Sequence, residues 1–181
     1  QEADLVACHQ FGLLDRFDVL ESVRDGGTFL LNSPYPVDDV WSHLPANVQR
    51  TIVERQLRVY VIDATRIARD LGMRGRINTV MQPCFFALAE VMELDRAVEA
   101  IKRSIERTYG RRGRLVVERN HAAVDRALAE LAELPVPNGV VDDDVATPAA
   151  HEVVAAIDDA LGVADQDFVE RVTARLIAGE G

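Results

Sequence analysis

RVYVI at residues 58–62, followed without a break by DATRIARDLG at 63–72, decides how this chain folds. Four compact β-branched or aromatic positions after Arg58, with no polar alternation, read as a strand buried on both faces. Asp63 to Leu71 then reads as a short helix closed by Gly72, with Asp63 as its cap. Working outward, ADLVAC (3–8) and TFLL (28–31) have the same strand character. Between them Leu13, Leu14, Phe17, Leu20 and Val23 follow helical spacing, which predicts a helix over GLLDRFDVLESVRDGG that Gly26 and Gly27 end. After TFLL, Pro34, Pro36 and Pro45 break the chain into two helical pieces, the second beginning near Pro45. This alternation predicts an α/β fold: an incomplete open parallel sheet of about three strands, flanked by helices, with right-handed crossovers.

Beyond Ile62 the pattern is helical. A helix is expected over 77–92 despite Pro83. Another is capped by Asp95 with Ala97, Val98, Ile101 and Ile105 on one face, and a long amphipathic one runs over 113–134. PVPNGVVDDDVATP (135–148) has the proline and aspartate content of a linker. It divides a main domain, 1–134, from an acidic linker and helical connector, 135–181. HEVVAAIDDAL and DQDFVERVTARLIA supply the two helices of that C-terminal extension.

Charge follows the same division. Of the chain's net −10, residues 1–134 carry −2 and residues 135–181 carry −8. A nearly neutral body with an acid-rich tail offers no broad positive face to phosphates, which argues against nucleic acid as a partner. With Cys8 and Cys84 the only cysteines, and neither a signal peptide nor a long apolar span, the reading is a reducing, cytoplasmic protein without a membrane segment. The start at Gln1, with an apolar run almost at once, reads as a segment of a longer polypeptide.

His9, His43, His121 and His151 lie far apart with no ligand spacing, so no metal site is expected. Cys8 and His9 are neighbours on a strand and point to opposite faces, a poor nucleophile and base pair. No catalytic residue is assigned. Ligands of open parallel sheets gather outside the carboxyl ends of the strands, which makes His9, Gln10, Asn32, Ser33 and Asp63 candidates. For Asn32-Ser33 a turn, and for Asp63 a helix cap, are the stronger readings. No glycine-rich phosphate loop is present. Lys102, Arg103, Arg107, Arg111, Arg112, Arg114 and Arg119 make a basic patch at a helix junction. That patch is either a solvated face or a surface for an anionic partner or the acidic tail.

GRINTVMQPCFFAL (75–88) passes from polar loop to apolar helix. Arg76 and Asn78 stand where the helix begins, with Asn78 as its expected cap and free N–H groups suited to an anion or a carbonyl. Phe85 and Phe86 face different sides, so one of them is expected to pack against another domain.

Together LVACHQF, GGTFLLNSPY, VYVIDA, GRINTVMQPCFFAL, TYGRRG and AAVDRAL resemble, in order from about residue 3 to 134, the gamma domain of the single-chain pyruvate:ferredoxin (flavodoxin) oxidoreductases. FVERVTARLIAGEG resembles the connector to that enzyme's next small domain. The resemblance implies a pyruvate synthase-type enzyme that decarboxylates pyruvate oxidatively to acetyl-CoA. It would use thiamine diphosphate and iron–sulfur clusters and pass electrons to ferredoxin or flavodoxin. It further implies that this fragment binds none of those cofactors itself and is inactive alone. Its partners would be the enzyme's other domains, and Arg76, Asn78 and Phe85 would line the coenzyme A and interdomain cleft. The family usually has threonine where Pro83 stands, and its glycine-rich opening is expected upstream of Gln1. The alternative is a non-catalytic interaction module that docks other subunits.

Overall fold

The computed structural model describes residues 2–73, 75–89 and 93–137. Three parallel strands, β1 (Ala3–Cys8), β2 (Val23–Asn32) and β3 (Arg58–Ile62), lie side by side in chain order. A two-residue strand, β4 (Ala132–Glu133), adds antiparallel to β3, so the open sheet is mixed rather than purely parallel. The long helix expected to reach 134 stops at Glu130, where Leu131 turns extended. Leu134 then donates its N–H to the Val59 carbonyl at 2.8 Å and is 4% exposed. An apolar side chain beside an open strand edge gains more by pairing and burial than by another helical turn.

The helix expected over 12–27 is not there. A short 3-10 turn covers Phe11–Asp15, and β2 begins at Val23 with Gly26 and Gly27 inside it. Arg55 explains the difference, because its Nη1 donates to the carbonyls of Leu20 (3.1 Å), Glu21 (3.2 Å) and Val23 (2.6 Å). Those carbonyls are satisfied without a helical ladder. The glycines form a bulge instead of a cap: the pairing with β1 jumps from Ala3 opposite Val23 to Leu5 opposite Thr28. Gly26 takes φ +67° and donates its N–H to the Arg55 carbonyl at 2.7 Å. At Gly27 a Cβ would stand 2.8 Å from both the Arg24 carbonyl oxygen and Val23 Cγ2. Gly27→Ala is therefore expected to lower stability by about 2 kcal/mol in a urea titration, as overpacking against backbone does.

Successive β2 residues face opposite layers. Phe29 and Leu31 bury against the 3-10 turn, α1 (Val40–His43) and α2 (Ala46–Glu54), the two helical pieces expected after TFLL. Leu30 faces α3 (Ala64–Asp70), α4 (Ile77–Ala89) and α6 (Arg114–Glu130). The remaining helix, α5 (Leu94–Tyr109), closes a smaller cluster of Ile101, Ile105 and Val124 with α6. It starts at Leu94 after Glu93, so the expected cap Asp95 sits inside its first turn. Pro83 lies buried within α4, in its seventh position, and the helix runs on through it.

Phe85 packs on the sheet-side cluster and Phe86 on the α5–α6 cluster, with ring centroids 6.0 Å apart and edge to face. Both rings thus have partners within this chain, because α5 and α6 supply a second apolar layer, and both stay half-buried. The connector helices expected over 151–161 and 165–178 lie outside the described residues.

Candidate functional site

Asn32 ends β2, is 5% exposed, and uses every polar atom of its side chain. Its Nδ2 donates to the His9 carbonyl at 2.8 Å and to Thr65 Oγ1 at 3.1 Å. Its Oδ1 accepts the Ala64 N–H at 2.9 Å, one of the orphan donors of the first turn of α3. One amide therefore ties the segment after β1 and the start of α3 to the end of β2. Asp63 caps the same helix by accepting the Arg66 N–H at 2.8 Å, and Ser33 Oγ accepts the Tyr35 N–H at 3.0 Å. The cap and turn readings of these residues both hold.

The tie holds His9 and Gln10 in place just beyond β1, Gln10 exposed and His9 half-buried. Burial lowers the His9 pKa from its ordinary 6.5, since the charged imidazolium loses its hydration. A folded-state value below the unfolded one means that the unfolded chain takes up the proton first. Stability is then complete above about pH 6.5 and declines as pH falls through the unfolded value toward the folded one. Melting temperatures of the wild type and His9→Asn, compared from pH 7.5 to 5.5, should show the steeper acid decline in the wild type.

Beside this group stands an aromatic shelf that sequence reasoning missed. Tyr35 and His43 stack at 3.7 Å and 4°, and Phe11 meets Tyr35 edge to face at 5.3 Å. Phe11 and Tyr35 follow β1 and β2 directly, but nothing in the local sequence pairs His43 with them. Cys8 is tied down, its Sγ 3.1 Å from the Gln10 carbonyl, and burial pushes its thiol up to about 11. Cys84, between α4 and α6, is pushed up to about 12 by the same cause. Neither thiol is suited to act as a nucleophile at neutral pH.

Arg76 and Asn78 lie away from this group. The helices α3 and α6 are antiparallel, with Arg66 on Glu130, Arg126 on Asp70 and the Arg119 guanidinium over Gly72 in succession. The first of these pairs lies beside the carboxyl end of β3, and the last is about 16 Å further along α6. Arg76 comes shortly after that far end and sets its guanidinium over the Tyr109 ring, 5.1 Å from the centroid. Since α4 starts at Ile77, Asn78 is exposed in the first turn rather than capping it. Phe85 is seven residues on, along the same side of α4 as Asn78 and the exposed Gln82, and it is half-buried. The three residues share one helix and its approach but do not converge on one point.

Among the described residues no group of three or more histidines, cysteines, aspartates or glutamates could hold a metal ion. The two cysteines sit in separate clusters, so this donor set does not fit an iron–sulfur cluster or the metal-bound diphosphate of thiamine. No helix among them is long and apolar enough to cross a membrane.

Residues 1–130 match the family described as pyruvate ferredoxin/flavodoxin oxidoreductase. A pyruvate-flavodoxin oxidoreductase of Rhodospirillum rubrum is 46% identical over 180 residues, covering 99% of this chain and 14% of the relative. Pyruvate:ferredoxin oxidoreductase of Moorella thermoacetica is 38% identical over 180 residues, again 99% of this chain and 14% of the relative. The crystal structure of pyruvate oxidoreductase subunit PORC from Thermotoga maritima has the same fold, with a TM-score of 0.57 at 23% identity over 74% of this chain and 66% of that one. The chain thus spans about one seventh of the length of the Rhodospirillum rubrum and Moorella thermoacetica relatives, and with its match over residues 1–130 it belongs to the pyruvate ferredoxin/flavodoxin oxidoreductase family.

Proposed function

We propose that this chain is part of an enzyme that oxidatively decarboxylates pyruvate to acetyl-CoA and passes the electrons to ferredoxin or flavodoxin. The observation that carries the reading is identity of 46% across 180 residues to a pyruvate-flavodoxin oxidoreductase. Thiamine diphosphate and the iron–sulfur clusters belong to other parts of the protein. Residues 1–134 supply the later part of a gamma-type domain, and 135–181 connect it to the next domain. A cytoplasmic, reducing setting suits two buried, unpaired thiols.

In this reading the chain forms one wall of the cleft that coenzyme A and substrate enter. Two features support that role. β1 is the outer strand of the sheet, and α4 packs over β1 and β2 on the same side of the molecule. Along that side run Arg76, then the exposed Asn78 and Gln82, then the half-buried Phe85, with His9 and Gln10 beyond the strand ends. Arg76, Asn78 and Phe85 are assigned to the boundary with the neighbouring domains on this basis.

The test uses the full-length protein. Arg76→Gln combined with Asn78→Ala should raise the KM for coenzyme A about tenfold and leave the KM for pyruvate within about twofold, as removal of uniform binding interactions does. Unchanged coenzyme A kinetics would remove these residues from the cleft while leaving the pyruvate reading intact.

A further inference from the structure

The corner around Tyr109 gathers cations that the body of the chain does not neutralise. Lys102, Arg103 and Arg114 each have a carboxylate partner: Asp125 at 2.6 Å, Glu99 at 3.1 Å and Glu118 at 2.7 Å. By contrast Arg107, Arg111, Arg112 and Arg119 have no carboxylate partner among the described residues, and all four are exposed. The Arg112 guanidinium lies 5.6 Å from the Tyr109 ring centroid, where Arg76 also rests, and Arg119 crosses Gly72. Two long helices, α4 and α6, begin here with no acidic residue in their first turns. Their exposed N–H groups add to the positive field. Of the nearby acids, Glu106 stands 3.9 Å from His121 and Glu118 is held by Arg114.

We propose that this cationic corner docks the acid-rich stretch of the same chain that begins at Asp142-Asp143-Asp144. Charge supports the pairing, because residues 135–181 carry net −8 while the unmatched arginines lie in a body of net −2. The route supports it too. β4 runs against β3, and Leu134–Val136 lie beside Leu57, Arg58 and Val59 at the beginning of β3. α3 leaves the carboxyl end of β3 and packs back over the sheet, so its Gly72 end and the corner lie toward the strand beginnings as well. They lie on the face opposite the α1–α2 cluster in which Leu134 and Val136 pack, and the segment reaches the corner by rounding the β3 edge. From Pro137, seven residues reach Asp144 and can span up to about 24 Å. Single exposed ion pairs contribute little, so the contact depends on several at once and weakens with salt. This inference does not depend on the pyruvate reading.

The 181-residue chain with Ala146→Cys, carrying a nitroxide spin label, provides the test, since the buried Cys8 and Cys84 react slowly. At about 50 mM salt the amide signals of residues 107–113 should lose at least about fivefold in intensity relative to the reduced label, recovering at about 0.5 M salt. The broadening should also vanish in Arg107→Gln/Arg111→Gln/Arg112→Gln and in Asp142→Asn/Asp143→Asn/Asp144→Asn. The second variant alters no residue of the folded body and decides the matter if the first fails to fold. Broadening elsewhere, no broadening at low salt, or broadening that survives the aspartate substitutions would overturn the proposal. An acidic partner in trans would then be the remaining use for the corner.

Discussion

Asn32→Ala is expected to lower the stability of this chain by about 3 kcal/mol, measured by urea denaturation with an unchanged m-value. The residue is 5% exposed, and its amide makes three hydrogen bonds that join β2 to the segment after β1 and to the start of α3. Alanine leaves the His9 carbonyl, Thr65 Oγ1 and the Ala64 N–H to find other partners. A buried group left unsatisfied costs about 1–3 kcal/mol, and water can repair only the more accessible of the three. Asn32→Asp should recover little, because a carboxylate can accept from Ala64 but turns repulsive toward the His9 carbonyl. On the proposed cleft reading, the same substitution in the full-length protein should also lower coenzyme A affinity, since His9 and Gln10 lose the tie that fixes them. A stability change below about 1 kcal/mol would show that these segments are held by packing alone.

Phe29→Ala is the second large effect, expected at about 4 kcal/mol. Phe29 is 0% exposed in the middle of the central strand β2, and its ring fills the layer between the sheet and α1 and α2. Neighbours on both flanking strands, held by parallel pairing to Val6 on one side and Val59 on the other, cannot close over a cavity of that size. With total stabilities of about 5–15 kcal/mol for such domains, the variant should be partly unfolded at about 37 °C. Phe29→Leu, which keeps most of the volume, should lose no more than about 1.5 kcal/mol.

Local pattern made the strands legible. TFLL and RVYVI announce strands inside the sheet because both faces of a parallel sheet demand apolar residues, whereas ADLVAC, expected to be buried in the same way, is the outer strand and of its six residues buries Cys8 alone. Asp63 announces the cap of α3 because the chain turns at once. The stretch 12–27 misled for an equally physical reason. Its apolar spacing fits a helix, but Arg55, more than thirty residues away, takes the carbonyls such a helix would use. β4 is two residues long, too short to carry any period, and is specified only by the edge of β3.

The carboxyl-end candidates were visible by position alone, whereas the role of Asn32 as a tie depends on Thr65 and His9 arriving from other segments. Arg76 shows the same limit. Its neighbour Tyr109 is brought to it by the return of α5, and that contact moves Arg76 to the opposite end of the helical layer from His9. The basic patch was legible as composition; which of its members lack a carboxylate among the described residues required the helix packing to be known.

The most direct test of the functional account compares the full-length protein with the 181-residue chain in pyruvate- and coenzyme A-dependent reduction of flavodoxin or ferredoxin, with thiamine diphosphate supplied to both. The expected result is turnover by the full-length protein and none by the chain alone. Turnover by the isolated chain, or a full-length protein that leaves pyruvate unoxidised, would contradict it.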